Sequence, residues 1–143
     1  MTDYNRQSLI ASLKAHEGFR PYAYQDSLGL WTIGIGRLCD KSRTGSGLTE
    51  AEAEYLLNND IARVEAALTS ALPWMRSLSD ARQRVLLEMA FQLGVTGVTA
   101  FRQTLRAVQA GNWQAAHDGM INSRWHSQSK NRCEELAAMM LKG

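Results

Sequence analysis

The stretch from Phe19 to Leu38 constrains the fold most, because its residue pattern differs from the rest of the chain. Aromatic residues, β-branched residues and glycines dominate it, and a turn-like Asp26-Ser27-Leu28-Gly29 divides it into two runs. Such residues favour strands, and a turn between two such runs is typical of a hairpin. The sequence therefore predicts a β-hairpin or small sheet here, followed by a loop from Cys39 to Gly47.

A helical pattern precedes this stretch. Leu9, Ile10 and Leu13 recur at helical spacing, and Gly18 is the kind of residue that ends a helix in the left-handed conformation. Glu17 is therefore expected at the carboxyl end of a helix, where the helix dipole disfavours a negative charge. We expect something other than helix stability to keep a glutamate at this position.

After the loop, the pattern is helical. Thr49-x-x-Glu52 is typical of a capping box at the start of an amphipathic helix. The buried stripe of that helix is predicted to comprise Ala53, Leu56, Leu57, Ile61, Val64 and Leu68. Pro73 ends this region.

Several shorter helices are predicted beyond Pro73. Ser79 or Asp80 can cap an apolar helix that runs to Gly94, and further helices are expected at about 101–110, 112–122 and 130–141. Arg82 and Arg84 are interpreted as a solvated face of the first of these helices.

The implied architecture is α+β, with two lobes in a single domain of residues 1–143. A small N-terminal sheet lobe covers about 17–48, and a connecting helix covers about 49–68. A helical C-terminal lobe covers about 70–143 and is expected to include the N-terminal helix. Two lobes imply a cleft between them, and no internal repeat competes with this interpretation.

Composition and charge exclude several classes of protein. The chain has 143 residues, 45% hydrophobic and 21% charged, so it can bury a core without a disulfide or a metal. A net charge of +2 can help approach to an anionic wall or membrane surface but is far below that of a nucleic-acid binder. The polar start lacks a signal peptide or membrane span, so a complete chain of this sequence is expected to stay in the cytoplasm without stable membrane association.

The cysteines and histidines give no sign of a metal site or cofactor. Cys39 and Cys133 have no CxxC spacing and are expected to be reduced thiols, a disulfide between them being the alternative. The histidines at positions 16, 117 and 126 lack metal-ligand spacing.

Two carboxylates near the predicted sheet suggest glycoside hydrolysis, which usually needs one acid and one base or nucleophile. Glu17 ends the first helix and Asp26 lies in the turn, so they can face a shared groove, and the Thr32 hydroxyl can hold a water there. Taken singly, each carboxylate has a plainer interpretation. A glutamate at a helix end is commonly solvated, and an aspartate in a turn commonly bonds its own backbone.

Three blocks of sequence together resemble the phage-type lysozymes, glycoside hydrolase family 24. The first block is His16-Glu17-Gly18-Phe19-Arg20-x-x-Ala23-Tyr24-x-Asp26-x-x-Gly29-x-Trp31-Thr32-Ile33-Gly34-Ile35-Gly36, and the others are Phe91-Gln92-x-Gly94-x-Thr96-Gly97-Val98-x-x-Phe101 and Ser123-Arg124-Trp125. The resemblance implies that Glu17 is the general acid, Asp26 the second carboxylate and Thr32 a residue that positions water. It also implies inversion, for which the carboxyl groups stand about 6.5–9.5 Å apart.

The resemblance further implies substrate contacts at Leu38, Phe91 and Thr104, with core packing as the alternative for Leu38 and Phe91. Gly119 stands where a relative has a side-chain amide, so a sugar contact there is lost or is made by Asn122 instead.

Two arginines are expected to have supporting roles. Arg132 matches a family arginine that pairs with the catalytic glutamate, and such a pair would lower the pKa of that glutamate. Arg37 replaces a histidine found in many relatives, and in an ion pair it would keep its charge at all relevant pH values.

The function implied is that of an endolysin, a muramidase that cleaves the β-1,4 bond between N-acetylmuramic acid and N-acetylglucosamine in peptidoglycan glycan strands. It would act as a monomer and would reach the wall from the host cytoplasm through a holin. One alternative is a lytic transglycosylase, which needs only the acid. The other is a non-catalytic wall-binding or tail-associated module.

Overall fold

A computed structural model of the chain describes residues 5–39 and 47–143. The chain forms two compact units, residues 1–53 and residues 54–143. The observed α+β architecture confirms the predicted fold class. Assignment of the N-terminal helix to the helical lobe stays a prediction, and most of the predicted loop, residues 40–46, lies outside the described residues.

The first unit contains a helix and a small antiparallel sheet. Helix α1 spans Arg6–Glu17 and ends at Gly18, whose φ is 72°. Strands β1 (Arg20–Gln25), β2 (Trp31–Gly34) and β3 (Arg37–Leu38) follow in the spatial order β1-β2-β3. The predicted hairpin is therefore confirmed and extended by a third short strand.

Helix α2 spans Glu50–Ala71 and begins with the predicted capping box. The backbone N–H of Thr49 donates to Oε1 of Glu52 at 3.0 Å, and the N–H of Glu52 donates to Oγ1 of Thr49 at 3.2 Å. These bonds satisfy donors that the first turn of a helix leaves without partners.

The second unit is helical. After a 3-10 helix at Pro73–Ser77 come α3 (Asp80–Thr99), α4 (Arg102–Ala110), α5 (Trp113–Ile121), α6 (Arg124–Gln128) and α7 (Lys130–Lys142). Ser79 caps α3, and Gly94 interrupts it with φ 76° and ψ 162°. Helix α5 packs against α4 and α7, and α3 also packs against α7.

The core of the second unit is built from aliphatic side chains, methionines and one tryptophan. Its fully buried members include Leu68, Met75, Val85, Leu86, Met89, Val98, Val108, Met120, Cys133 and Met140. The predicted stripe of α2 is wrong over most of its length, because among its members only Leu68 is buried and Leu56, Leu57 and Ile61 are exposed. The core reaches only the carboxyl-terminal part of α2, where Val64 and Leu68 pack on it.

In the described part of the chain, every helix is too short or too polar to cross a bilayer.

Candidate active site

Glu17 is the last residue of α1, and its side chain is exposed. Its carboxyl group lies against the turn between β2 and β3, because a Cβ atom placed on Gly36 would stand 2.7 Å from both Cδ and Oε2 of Glu17. Within the described residues of the first unit, 5–39 and 47–53, no hydrogen bond or ion pair engages this carboxylate. It is therefore available to an external partner.

Asp26 organises the turn between β1 and β2. Its Oδ1 accepts hydrogen bonds from the backbone N–H groups of Leu28 at 2.9 Å and Leu30 at 2.8 Å. Oδ1 of Asp26 therefore bonds the backbone of its own turn, as is common for an aspartate in a turn. Within the described residues Oδ2 carries no such bond and remains available as a proton acceptor.

Thr32 sits on β2 and is 5% exposed. Its hydroxyl donates to the carbonyl oxygen of Leu30 at 3.1 Å, so the lone pairs on Oγ1 remain able to accept a hydrogen bond. Leu30 therefore contacts both candidates, since its N–H donates to Asp26 and its carbonyl accepts from Thr32. The backbone of Leu30 therefore connects Asp26, in the turn, to Thr32, on β2.

Leu38 and Arg37 occupy the last strand of the sheet. Leu38 pairs directly with Thr32 across β2 and β3 and is half-buried. Arg37 forms an ion pair with Glu52 and donates from Nη1 to the carbonyl oxygen of Gly47 at 2.6 Å. Arg37 thus takes part in an ion pair, the case in which the sequence analysis expects a constant charge at this position to matter.

Phe91 and Arg132 line one pocket of the second unit, with a volume of about 460 Å³. Phe91 is 45% exposed, so it is not a core residue. Arg132 donates from Nε to Oε1 of Glu88 at 3.2 Å. Its predicted pairing with Glu17 stays a prediction, and Glu88 is a partner that the sequence analysis missed.

Thr104 lines a second, polar pocket of about 480 Å³ together with Gly119 and Asn122. Thr104 is 7% exposed, and a Cβ atom on Gly119 would collide with its Oγ1. A side-chain amide at position 119 therefore requires Thr104 to move. Asn122 already offers an amide to the same pocket.

Asp118 also lines this polar pocket. Sequence reasoning did not single out this residue. Hydrogen bonds from His117 and then Gln114 lower its pKa, so the carboxyl group stays charged at neutral pH. No sequence pattern indicated this, because the pocket arises where α4 and α5 meet.

The described residues contain no group of three histidine, cysteine, aspartate or glutamate side chains close enough to hold a metal ion.

Comparison with known proteins identifies the family of the chain. The sequence pattern of the family described as phage lysozyme matches residues 14–139. The chain is 32% identical to the pre-baseplate central spike protein Gp5 of Enterobacteria phage T4 over 99% of its own length, and it spans 29% of that protein. It is 26% identical to probable T4-type lysozyme 1 of Dictyostelium discoideum, with 95% of each chain covered. It is 34% identical to the endolysin of Salmonella phage P22, over 78% of this chain and 77% of the relative.

These matches and the α+β fold define an enzyme of the lysozyme class, which hydrolyses peptidoglycan. The chain belongs to the phage lysozyme family. The resemblance found in the sequence is therefore confirmed.

Proposed function

We propose that this chain is a muramidase that hydrolyses the β-1,4 bond between N-acetylmuramic acid and N-acetylglucosamine with inversion. The observation that carries the proposal is the carboxyl group of Glu17, which is exposed and has no partner among the described residues of the first unit. It also lies at the carboxyl end of α1, where a negative charge does not stabilise the helix. Interaction with a substrate explains a glutamate at this position, whereas helix stability does not.

In the proposed mechanism, the carboxylic acid of Glu17 donates its proton to the glycosidic oxygen as the bond to the anomeric carbon breaks. A water attacks that carbon from the opposite face and transfers a proton to Oδ2 of Asp26. The lone pairs of Thr32 Oγ1 accept a hydrogen bond from the same water, because the hydroxyl proton is committed to Leu30. Water delivered to the opposite face gives the inverted anomer.

The proposed substrate contacts are Leu38, Phe91 and Thr104. Leu38 is the cross-strand neighbour of Thr32, which supports a place beside the reacting sugar. The exposure of Phe91 supports apolar contact with a sugar ring. For Thr104, the support is its place in a pocket that also offers amide groups.

The decisive variant is Glu17→Gln, which keeps the shape of the side chain and removes the acidic proton. We expect it to abolish clearing of chloroform-treated Gram-negative cells without changing the thermal unfolding temperature. Glu54→Gln, a change at another exposed glutamate, is the matched control and should clear cells like the wild type. Unchanged clearing by Glu17→Gln would refute the assignment.

Product analysis separates the chemical alternatives. Mass spectrometry of digested peptidoglycan should show reducing-end muramic acid, and NMR of fresh product should show the inverted anomer. A dominant anhydromuramic product would identify a lytic transglycosylase instead. Binding to sacculi without release of fragments would identify a non-catalytic module.

We further propose that the enzyme lyses the host as an endolysin, held in the cytoplasm until a holin opens the membrane. Expressed cells should then stay intact until chloroform or a holin is supplied, and spontaneous lysis would contradict this. The protein is expected to be monomeric, with peptidoglycan as its partner and no nucleic acid or stable membrane contact. Size-exclusion chromatography with light scattering tests the monomer.

A second candidate role is wall hydrolysis from a phage tail. It is favoured by the similarity of nearly the whole chain to a pre-baseplate central spike protein. Recovery of the chain in purified phage particles would support this role, whereas recovery only in the soluble lysate would support the endolysin.

A further inference from the structure

The carboxyl group of Glu17 rests on a surface that only glycine provides. A Cβ atom on Gly36 would stand 2.7 Å from Cδ and Oε2 of Glu17 and 3.0 Å from Cγ. A real Cβ atom essentially never approaches another heavy atom closer than 3.0 Å, so a side chain at position 36 must displace its neighbour. The neighbour is the proposed catalytic acid.

The backbone at Gly36 is anchored by the residues that follow it. Arg37 and Leu38 pair with Ile33 and Thr32 in the sheet. Arg37 is also held at its side chain by Glu52 and by the carbonyl oxygen of Gly47. The side chain of Glu17 has several rotatable bonds and no hydrogen-bond or ion-pair partner among the described residues of the first unit. In a collision the glutamate therefore moves and the turn stays.

We infer that Gly36 is a positioning residue for Glu17, because its missing side chain leaves the space in which the carboxyl group rests. This inference rests on the proposed function, in which Glu17 is the general acid. A displaced acid loses its alignment with the glycosidic oxygen but leaves the binding surfaces for sugar intact. The consequence is a loss in kcat with little change in KM.

The test compares Gly36→Ala with Gly34→Ala. Both glycines lie in the same region of the sheet and have positive φ, 66° and 71° respectively, so alanine is strained at both. A Cβ atom on Gly34 meets nothing within 4 Å, whereas one on Gly36 meets Glu17. The two variants therefore share the backbone strain and differ in the collision.

We expect similar decreases in thermal unfolding temperature for both variants. With solubilised glycan strands as substrate, kcat of Gly36→Ala should fall about 100-fold, the order of loss for a misplaced catalytic group, and Gly34→Ala should stay within about 3-fold of wild type. Equal kcat values for the two variants would overturn the inference. If either alanine variant fails to fold, Gly36→Asn and Gly34→Asn repeat the comparison, because asparagine tolerates positive φ better.

A second measurement shows whether Gly36 acts through Glu17. Gly36→Ala is added to Glu17→Gln, and the residual rate of the double variant is compared with that of Glu17→Gln. No further loss is expected, because the group being positioned has already lost its proton. A further 100-fold loss would overturn the inference, while an active Glu17→Gln protein would instead refute the proposed function.

Discussion

The guanidinium group of Arg37 forms an ion pair with the carboxylate of Glu52, and this same carboxylate closes the capping box at the start of α2. One glutamate therefore joins the last strand of the sheet to the first turn of the long helix. Arginine keeps its charge over the whole physiological range, whereas a histidine at this position would lose it near neutral pH. The connection should therefore persist in alkaline conditions.

The pKa of Glu52 gives a prediction about acid stability. Hydrogen bonds from Thr49, and then the positive charge of Arg37, lower this pKa from its ordinary value of 4.5. Because the unfolded chain takes up the proton first, the stabilisation is fully present above about pH 4.5 and disappears as the pH falls through the folded-state pKa. Glu52→Gln should therefore flatten the loss of stability in acid, measured by urea unfolding between about pH 3 and 7.

The matched control for Glu52→Gln is Glu54→Gln, an exposed glutamate in the same helix. It should follow the wild-type curve at every pH. A Glu52→Gln curve parallel to wild type throughout the acid range would show that Glu52 makes no pH-dependent contribution.

Two variants of Asp26 should separate its contribution to turn stability from its contribution to catalysis. Asp26→Asn keeps an Oδ1 atom that can accept from Leu28 and Leu30, but it loses the basic carboxylate. We expect unchanged thermal unfolding and almost no cell clearing for this variant. Asp26→Ala should lose activity and also roughly 1–2 kcal/mol of stability, because two backbone donors lose their acceptor. Clearing by Asp26→Asn at the wild-type rate would contradict the proposed mechanism.

Gln92 has a structural role in the second unit that can be measured directly. Its Oε1 accepts from Nε1 of the buried Trp125 at 3.0 Å, and its Nε2 donates to Oγ of Ser129 at 2.8 Å. Gln92→Leu leaves the indole N–H without a partner and should decrease the free energy of unfolding by about 1–3 kcal/mol. Gln92→Glu keeps the acceptor, so its free energy of unfolding should decrease less, as measured by urea unfolding at pH 7. An equal decrease in the free energy of unfolding for both variants would show that the hydrogen bond from the Trp125 indole does not account for the loss of stability.

The features that the sequence predicted correctly are those specified by neighbouring residues. The capping box depends on Thr49 and Glu52, three positions apart, and the end of α1 depends on Gly18. The sheet follows from the aromatic and β-branched residues on either side of the turn at Asp26. Each of these signals acts over a few residues, so it is visible without knowledge of the tertiary fold.

The features that were missed depend on contacts between distant segments. The sequence predicts a solvated Arg82, yet its Nε donates to the carbonyl oxygen of Met140 at 2.9 Å and its guanidinium lies 3.5 Å from the ring centroid of Trp113. The contact between Gly36 and Glu17 likewise joins a turn to a helix end. A glycine between Ile35 and Arg37 indicates a turn, but only the folded backbone shows which side chain approaches it.

The two cysteines should differ in reactivity. Cys133 is buried, its thiol donates to the carbonyl oxygen of Met120 at 3.3 Å, and burial followed by the negative charge of Glu134 raises its pKa. The thiolate is the reactive form, so Cys133 should resist alkylation in the folded protein, whereas the half-buried Cys39 should react first. Mass spectrometry after an iodoacetamide pulse at pH 8 should show one adduct on Cys39 and a second only in urea. Cys39→Ser should abolish the first adduct, and equal labelling of both cysteines in the folded state would contradict the prediction.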